Sequence, residues 1–154
     1  MAVSGVCVDA ELLTRFASSL FQAAGVPDDE ADLVSTSLVG SNLRGHDSHG
    51  VVRIPRYLPL LETGELVAGA GLSVLSETSA MLCADAAFGF GMVQMTRLID
   101  RLDDKVDQLG VACGTLVRCG HVGRVGEWAE LVASRGRAAL VTVNDNGVLK
   151  CVAP

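Results

Sequence analysis

From Leu72 onward the chain alternates short apolar runs with segments of helical periodicity, and this alternation limits the fold more than any other feature. Leu72 to Leu75 and Ala80 to Ala84 read as short strands separated by the polar turn Ser76-Glu77-Thr78-Ser79, so a hairpin is expected. Gly89-Phe90-Gly91 leads into a long helix carrying Val93, Met95, Leu98, Ile99, Leu102, Val106 and Leu109, stopped by Gly110. A strand Val111 to Val117, a glycine-rich turn around His121, a helix from Arg124 to Ser134 and a strand Ala138 to Val143 follow. Strands joined through helices lie parallel, and the helices cover the sheet. The expected fold class is α/β, with N-terminal helices followed by a mixed sheet flanked by helices.

Two amphipathic helices precede that half. Asp9 is a candidate N-cap for a helix with Leu12, Leu13, Phe16, Leu20 and Phe21 at spacings of three and four, closed by Gly25. Pro27 with Asp28, Asp29 and Glu30 suits the start of a second helix, where acidic side chains meet the positive end of the dipole. It continues through Leu33, Val34 and Leu38 and delivers the chain to Arg44. Pro55 starts a third helix that runs through Leu60 and Leu61 to Gly64. Two parts are expected: a helical segment 1–65 and an α/β half 66–154.

Between the second and third helices lies Arg44-Gly45-His46-Asp47-Ser48-His49-Gly50-Val51-Val52-Arg53-Ile54-Pro55-Arg56-Tyr57, which holds two of the three histidines and the one tyrosine. An imidazole exchanges protons near neutral pH, and guanidinium groups match carboxylate or phosphate. The expected ligand is a small anion that undergoes proton transfer, with Arg44 and Arg53 as its anchors. His46 and His49 could be read as a metal pair, but a catalytic zinc needs three protein ligands and no third cluster is apparent, so no metal is expected.

Composition narrows the function classes. Net charge is −6 and the only lysines are Lys105 and Lys150, which argues against a nucleic-acid surface. No apolar run approaches the ~18 residues of a membrane span, and Met1 to Cys7 lacks a basic region ahead of an apolar one, so a cytoplasmic protein is expected. Charged residues are only 19% and mean hydropathy is +0.40, which suggests surface buried against further polypeptide. Five cysteines without a C-x-x-C pair indicate neither a disulfide framework nor a zinc site, and reduced, mostly buried thiols are expected.

The segment Gly120-His121-Val122-Gly123-Arg124-Val125-Gly126 places glycines between a strand and a helix, where free N–H groups, the dipole and Arg124 could cradle a phosphate. It is not the G-x-G-x-x-G fingerprint. Gly89-Phe90-Gly91 reads as a helix start that needs close packing. Asn144 follows a strand and is a candidate cofactor contact, since α/β sheets bind ligands at strand ends.

The run R-G-x-D-S-H-G-V-x-R-x-P-x-Y at residues 44–57 and the segment Gly120 to Glu130 resemble the type-2 malate/L-lactate dehydrogenase family of NAD(P)-dependent 2-hydroxy- and 2-imino-acid oxidoreductases, unrelated to the Rossmann-type lactate and malate enzymes. The resemblance runs from about residue 9 to the last residue. It implies that His49 is the acid/base, that Ser48 acts in a relay and that Arg53 contacts substrate. It implies further that His121, Gly123, Arg124, Val125 and Gly126 line the site of NAD or NADP, with His121 an alternative acid/base. The expected activity is hydride transfer between NAD(P) and a small 2-hydroxy acid such as malate or lactate, in a homodimer. Family chains run to roughly twice this length, and the segment expected to supply the relay aspartate follows Val152-Ala153-Pro154. A fragment of the enzyme is therefore one expectation, and a non-catalytic module that binds nucleotide or pairs with a full-length subunit is the other.

Overall fold

A computed structural model describes residues 6–144. They fall into two compact units divided between Arg124 and Val125. The first begins with α1 (Ala10–Ala23), which Asp9 caps by accepting the Leu12 N–H at 2.9 Å, and α2 (Asp28–Leu43), which starts after Pro27 with three acidic residues in its first turn. The two helices pack together through Ala17, Phe21, Ala31, Val34 and Leu38, all fully buried. Ser18 adds a hydrogen bond to Asp32 at 2.5 Å. The apolar stripe of α1 is wider than this contact, because Leu12 and Phe16 remain more than half exposed.

α3 (Ile54–Thr63) carries Pro55 in its first turn and ends at Gly64, whose φ of 75° is a left-handed cap that favours glycine. The sheet follows as expected, a hairpin and then a helical crossover. β1 (Ser73–Glu77) pairs antiparallel with β2 (Met81–Asp85), and a register shift falls between Val74 and Ser76. α4 (Gly91–Leu109) then carries the chain to β3 (Cys113–Val117), which pairs parallel with β2. The order β1-β2-β3 makes a mixed sheet with β2 at its centre. Gly114 lets α4 lie close on the sheet, since a Cβ there would fall within 3.0 Å of Leu98 and Leu102 methyls.

Polar groups tie the helices to the loop before the sheet. Glu30, only 3% exposed, accepts the Gly69 N–H at 2.9 Å and pairs with Arg97 of α4 at 3.0 Å. Arg97 and Gln94 both donate to the Ala70 carbonyl, at 2.6 and 2.8 Å. A buried carboxylate is tolerable only with such partners.

The second unit contains α5 (Val125–Ser134). The strand expected at Ala138 to Val143 does not form: residues 137–144 are irregular, and Leu140 is 92% exposed. A β-strand exists by pairing, and no described segment supplies a ladder for this one. The cysteines also depart from expectation. Among the described residues all four are free, but Cys7 and Cys113 are exposed and Cys83 and Cys119 half-buried. Cys7 precedes α1 and Cys113 has an alternate-face position on an edge strand, so neither is carried into the core. Cys151 lies outside the described residues.

Candidate active site

The site grows from the way α2 ends. Arg44 caps the helix, Gly45 takes a φ of 75°, and the chain turns back through two single 3-10 turns, Asp47–His49 and Val51–Arg53, before α3 begins. Asn42, in the last turn of α2, staples this loop from both sides. Its Nδ2 donates to Asp47 Oδ1 at 2.6 Å and its Oδ1 accepts the Val51 N–H at 2.9 Å. Gly50 lies directly against that carboxamide, and a Cβ at position 50 would collide with it. The arrangement holds His49 between two fixed points.

His49 is half-buried, with Ser48 Oγ 2.9 Å from its Nδ1. Arg53 Nε donates to the Ser48 carbonyl at 2.5 Å, which brings the guanidinium alongside without a continuous helix between residues 49 and 53. Burial first, then the charges of Arg53 and His46, hold the His49 pKa below its usual 6.5. His46 sits edge-on to His49, with ring centres 6.4 Å apart. Arg44 is exposed and donates to the Gly40 carbonyl of its own helix at 3.1 Å.

The second histidine arrives from the other end of the unit. Its ring stacks on His49 with centres 5.2 Å apart and planes inclined by 30°. The turn that carries His121 is set by contact with the start of α4: the Gly120 N–H donates to the Gly89 carbonyl at 3.0 Å, and a Cβ at Gly91 would collide with the carbonyl oxygens of Gly120 and His121. Gly89-Phe90-Gly91 is therefore a close-packing element, as its composition suggested. His121 Nδ1 lies 2.7 Å from the Tyr57 hydroxyl and 3.3 Å from the Gly123 N. Tyr57, only 3% exposed, packs edge-on against Phe90 and near Phe21, and burial pushes its phenol pKa far above the ordinary 10.0.

At the carboxyl ends of β2 and β3, Arg118 forms a bidentate ion pair with Asp85 and lies 5.4 Å from the centre of the Phe88 ring. Ala87, Phe88 and Arg118 all have positive φ there, a concentration of strain of the kind that collects around binding sites. Of the remaining expected cofactor residues, Gly123 has a φ of 73° and is buried, as is Arg124. Val125 and Gly126 open α5. Asn144 is exposed in irregular chain, so the strand end that recommended it is absent from the described residues. The structure thus brings Ser48, His49, Arg53 and His121 together. Sequence reading missed Asn42, a residue type common in last turns, and gave no role to Tyr57, although its place at the end of the 44–57 run was the available signal.

Comparison with known proteins places this geometry in a family. The family model described as malate/L-lactate dehydrogenase matches residues 8–154, and the chain belongs to that family. Hydroxycarboxylate dehydrogenase B of Escherichia coli is 34% identical over 145 residues, which cover 94% of this chain and 40% of that protein. L-lactate dehydrogenase of Cupriavidus necator is 29% identical over 91% of this chain and 40% of its own length. A solved structure of a malate/lactate dehydrogenase from E. coli, described as putative, superimposes with a TM-score of 0.83 at 33% identity, covering 86% of this chain and 37% of that one. Malate dehydrogenase from Pyrococcus horikoshii gives 0.82 at 27% identity, over 85% and 38%. The chain spans about two fifths of the length of the curated relatives it matches.

Proposed function

We propose that this chain forms part of an NAD(P)-dependent dehydrogenase acting on a small 2-hydroxy acid such as malate or lactate, with His49 as its acid/base. The observation that carries the reading is the stack of His49 on His121, with Ser48 at His49 Nδ1 and Arg53 beside it. In the oxidising direction His49 accepts the proton of the substrate hydroxyl, and in the reducing direction it returns that proton to the ketone oxygen. A depressed pKa suits the accepting role, because the imidazole is neutral at working pH. Ser48 holds the ring through Nδ1 and leaves proton exchange to the other nitrogen. Arg53 and Arg44 are the anchors for the substrate carboxylate, the first next to the imidazole and the second on the exposed end of α2.

The nicotinamide group supplies the hydride acceptor when bound. The turn at His121 fits such a group in one respect and not in another. His121 is exposed next to the acid/base, and Gly123 and Arg124 follow it. The amides of Gly120 and Gly123, however, are already engaged by the Gly89 carbonyl and by His121 Nδ1, so they do not add to a phosphate cradle. His121, Gly123 and Arg124 would then meet the nicotinamide end.

The cofactor in this reading is NAD or NADP, and one relative, a (2R)-3-sulfolactate dehydrogenase, is named for NADP(+). We place the protein in the cytoplasm as a homodimer. No described helix is long and apolar enough to cross a membrane. The exposed Leu12, Phe16, Leu75 and Met81 offer apolar surface for further polypeptide. The second reading is a non-catalytic module that binds nucleotide or pairs with a full-length subunit. Absorbance at the nicotinamide band, followed with malate, lactate and sulfolactate and with each cofactor, separates the two. Turnover of one substrate is expected, and no turnover of any by the full protein would favour the module.

A further inference from the structure

Two imidazoles stacked at 5.2 Å pose a question of proton ownership, because two imidazolium ions in that position would repel. The hydrogen bonds around the His121 ring answer it. Gly123 can offer Nδ1 only an N–H, at 3.3 Å, so Nδ1 must be an acceptor for that bond to exist. The Tyr57 hydroxyl, 2.7 Å away, is able to donate or accept. It lies in an apolar setting of Phe21 and Phe90 that keeps the phenol protonated, so its proton is available, and a nitrogen that accepts from Gly123 carries no proton to give back. Tyr57 and Gly123 therefore both point protons at Nδ1, and the ring proton of neutral His121 belongs on Nε2.

We propose that Tyr57 is a positioning residue that fixes His121 as its Nε2–H tautomer, making His121 a hydrogen-bond donor to an oxygen of the bound 2-oxo acid and leaving proton exchange to His49. The donor role rests on the dehydrogenase reading above; the tautomer does not. The arrangement divides the work between the two rings. His121 polarises an acceptor oxygen without changing its own protonation, while His49, bonded through Nδ1 to a small hydroxyl, remains free to gain and lose a proton. It also explains why the only tyrosine is buried with its hydroxyl directed at a histidine 64 positions away.

Two-bond proton–nitrogen correlation spectra of the full protein labelled at histidine read the tautomer directly. The expected wild-type result is His121 protonated on Nε2 and bare on Nδ1. Tyr57→Phe keeps the buried ring, and in it the fraction of His121 protonated on Nδ1 should rise about fivefold, the loss of one neutral hydrogen bond. Wild-type His121 protonated on Nδ1, or a tautomer ratio unmoved by Tyr57→Phe, overturns the proposal whatever the activity. For the donor role, His121→Gln places an N–H near the Nε2 position but cannot act as a base. It should retain at least tenfold more kcat than His121→Ala, with His49 still required. Equal loss in both variants overturns the donor role. Correct tautomers with no turnover by the wild-type protein would instead count against the dehydrogenase reading alone.

Discussion

Replacing Asn42 by alanine removes the one side chain that braces both halves of the loop carrying His49. The carboxamide contributes a bond to the exposed Asp47 carboxylate and another to the part-buried Val51 N–H. The first is worth little at a solvated position, and the second leaves a partly buried amide without its acceptor, so the sum is about 2 kcal/mol. For a unit of this size that lowers Tm by about 8 °C. The same loss should speed hydrogen exchange of the Val51 amide by about 30-fold, more than for amides of the sheet. Gly50 supplies an internal control. Its φ of −89° suits any residue, and the nearest obstacle to a side chain there is the Asn42 carboxamide. Gly50→Ala should therefore destabilise the wild type and lose most of that cost in the Asn42→Ala background. Strictly additive costs, or an Asn42→Ala variant within 0.5 kcal/mol of wild type in denaturant unfolding, where ~0.5 is the usual scatter of surface substitutions, would refute the bracing role.

Three further outcomes follow from the same contacts. Because burial, Arg53 and His46 depress the His49 pKa, the unfolded chain takes up a proton at that residue before the native one does. The resulting stability is fully present above pH 6.5 and is lost as pH falls through the His49 midpoint in the folded protein. Arg53→Gln should move that midpoint upward in a histidine NMR titration and flatten the acid limb of the pH–stability curve; an unmoved midpoint would contradict the contribution of Arg53. Gly91→Ala should destabilise by about 3 kcal/mol in thermal unfolding, because the new methyl meets backbone carbonyls on the His121 turn that cannot swing aside; a neutral effect would show that the turn yields. Arg97→Met should cost about 2 to 3 kcal/mol in denaturant, because Glu30 would be left buried with only the Gly69 N–H, and Glu30→Gln in the same background should recover part of the loss.

Which parts of this molecule are legible in its sequence depends on the range of the forces involved. The helices and the hairpin are set by local periodicity, caps and turn residues: Asp9, Pro27, Pro55, Gly64 and Gly110 each stand where an element begins or ends. The parallel pairing of β2 with β3 follows from the helix between them. The strand expected at 138–143 was the failure, because apolar composition signals a strand only where a partner ladder exists. In the site, Ser48, His49 and Arg53 were visible as a cluster because they are close in sequence. The stacking of His121 on His49 and the Tyr57 contact, by contrast, span 72 and 64 residues and depend on how the turn at Gly120 packs against Gly91. Asn42 shows the same limit at short range, since nothing in its residue type distinguishes a loop brace from an ordinary helix end.

The proton carried by His49 is the centre of the proposed chemistry. Steady-state turnover of the full protein carrying His49→Ala, measured together with its affinity for the nicotinamide cofactor by fluorescence, tests it. The expected result is a fall in kcat of about 10²- to 10⁴-fold with cofactor affinity within about twofold of wild type, as for loss of an acid/base group. Retention of wild-type kcat in that variant would contradict the assignment.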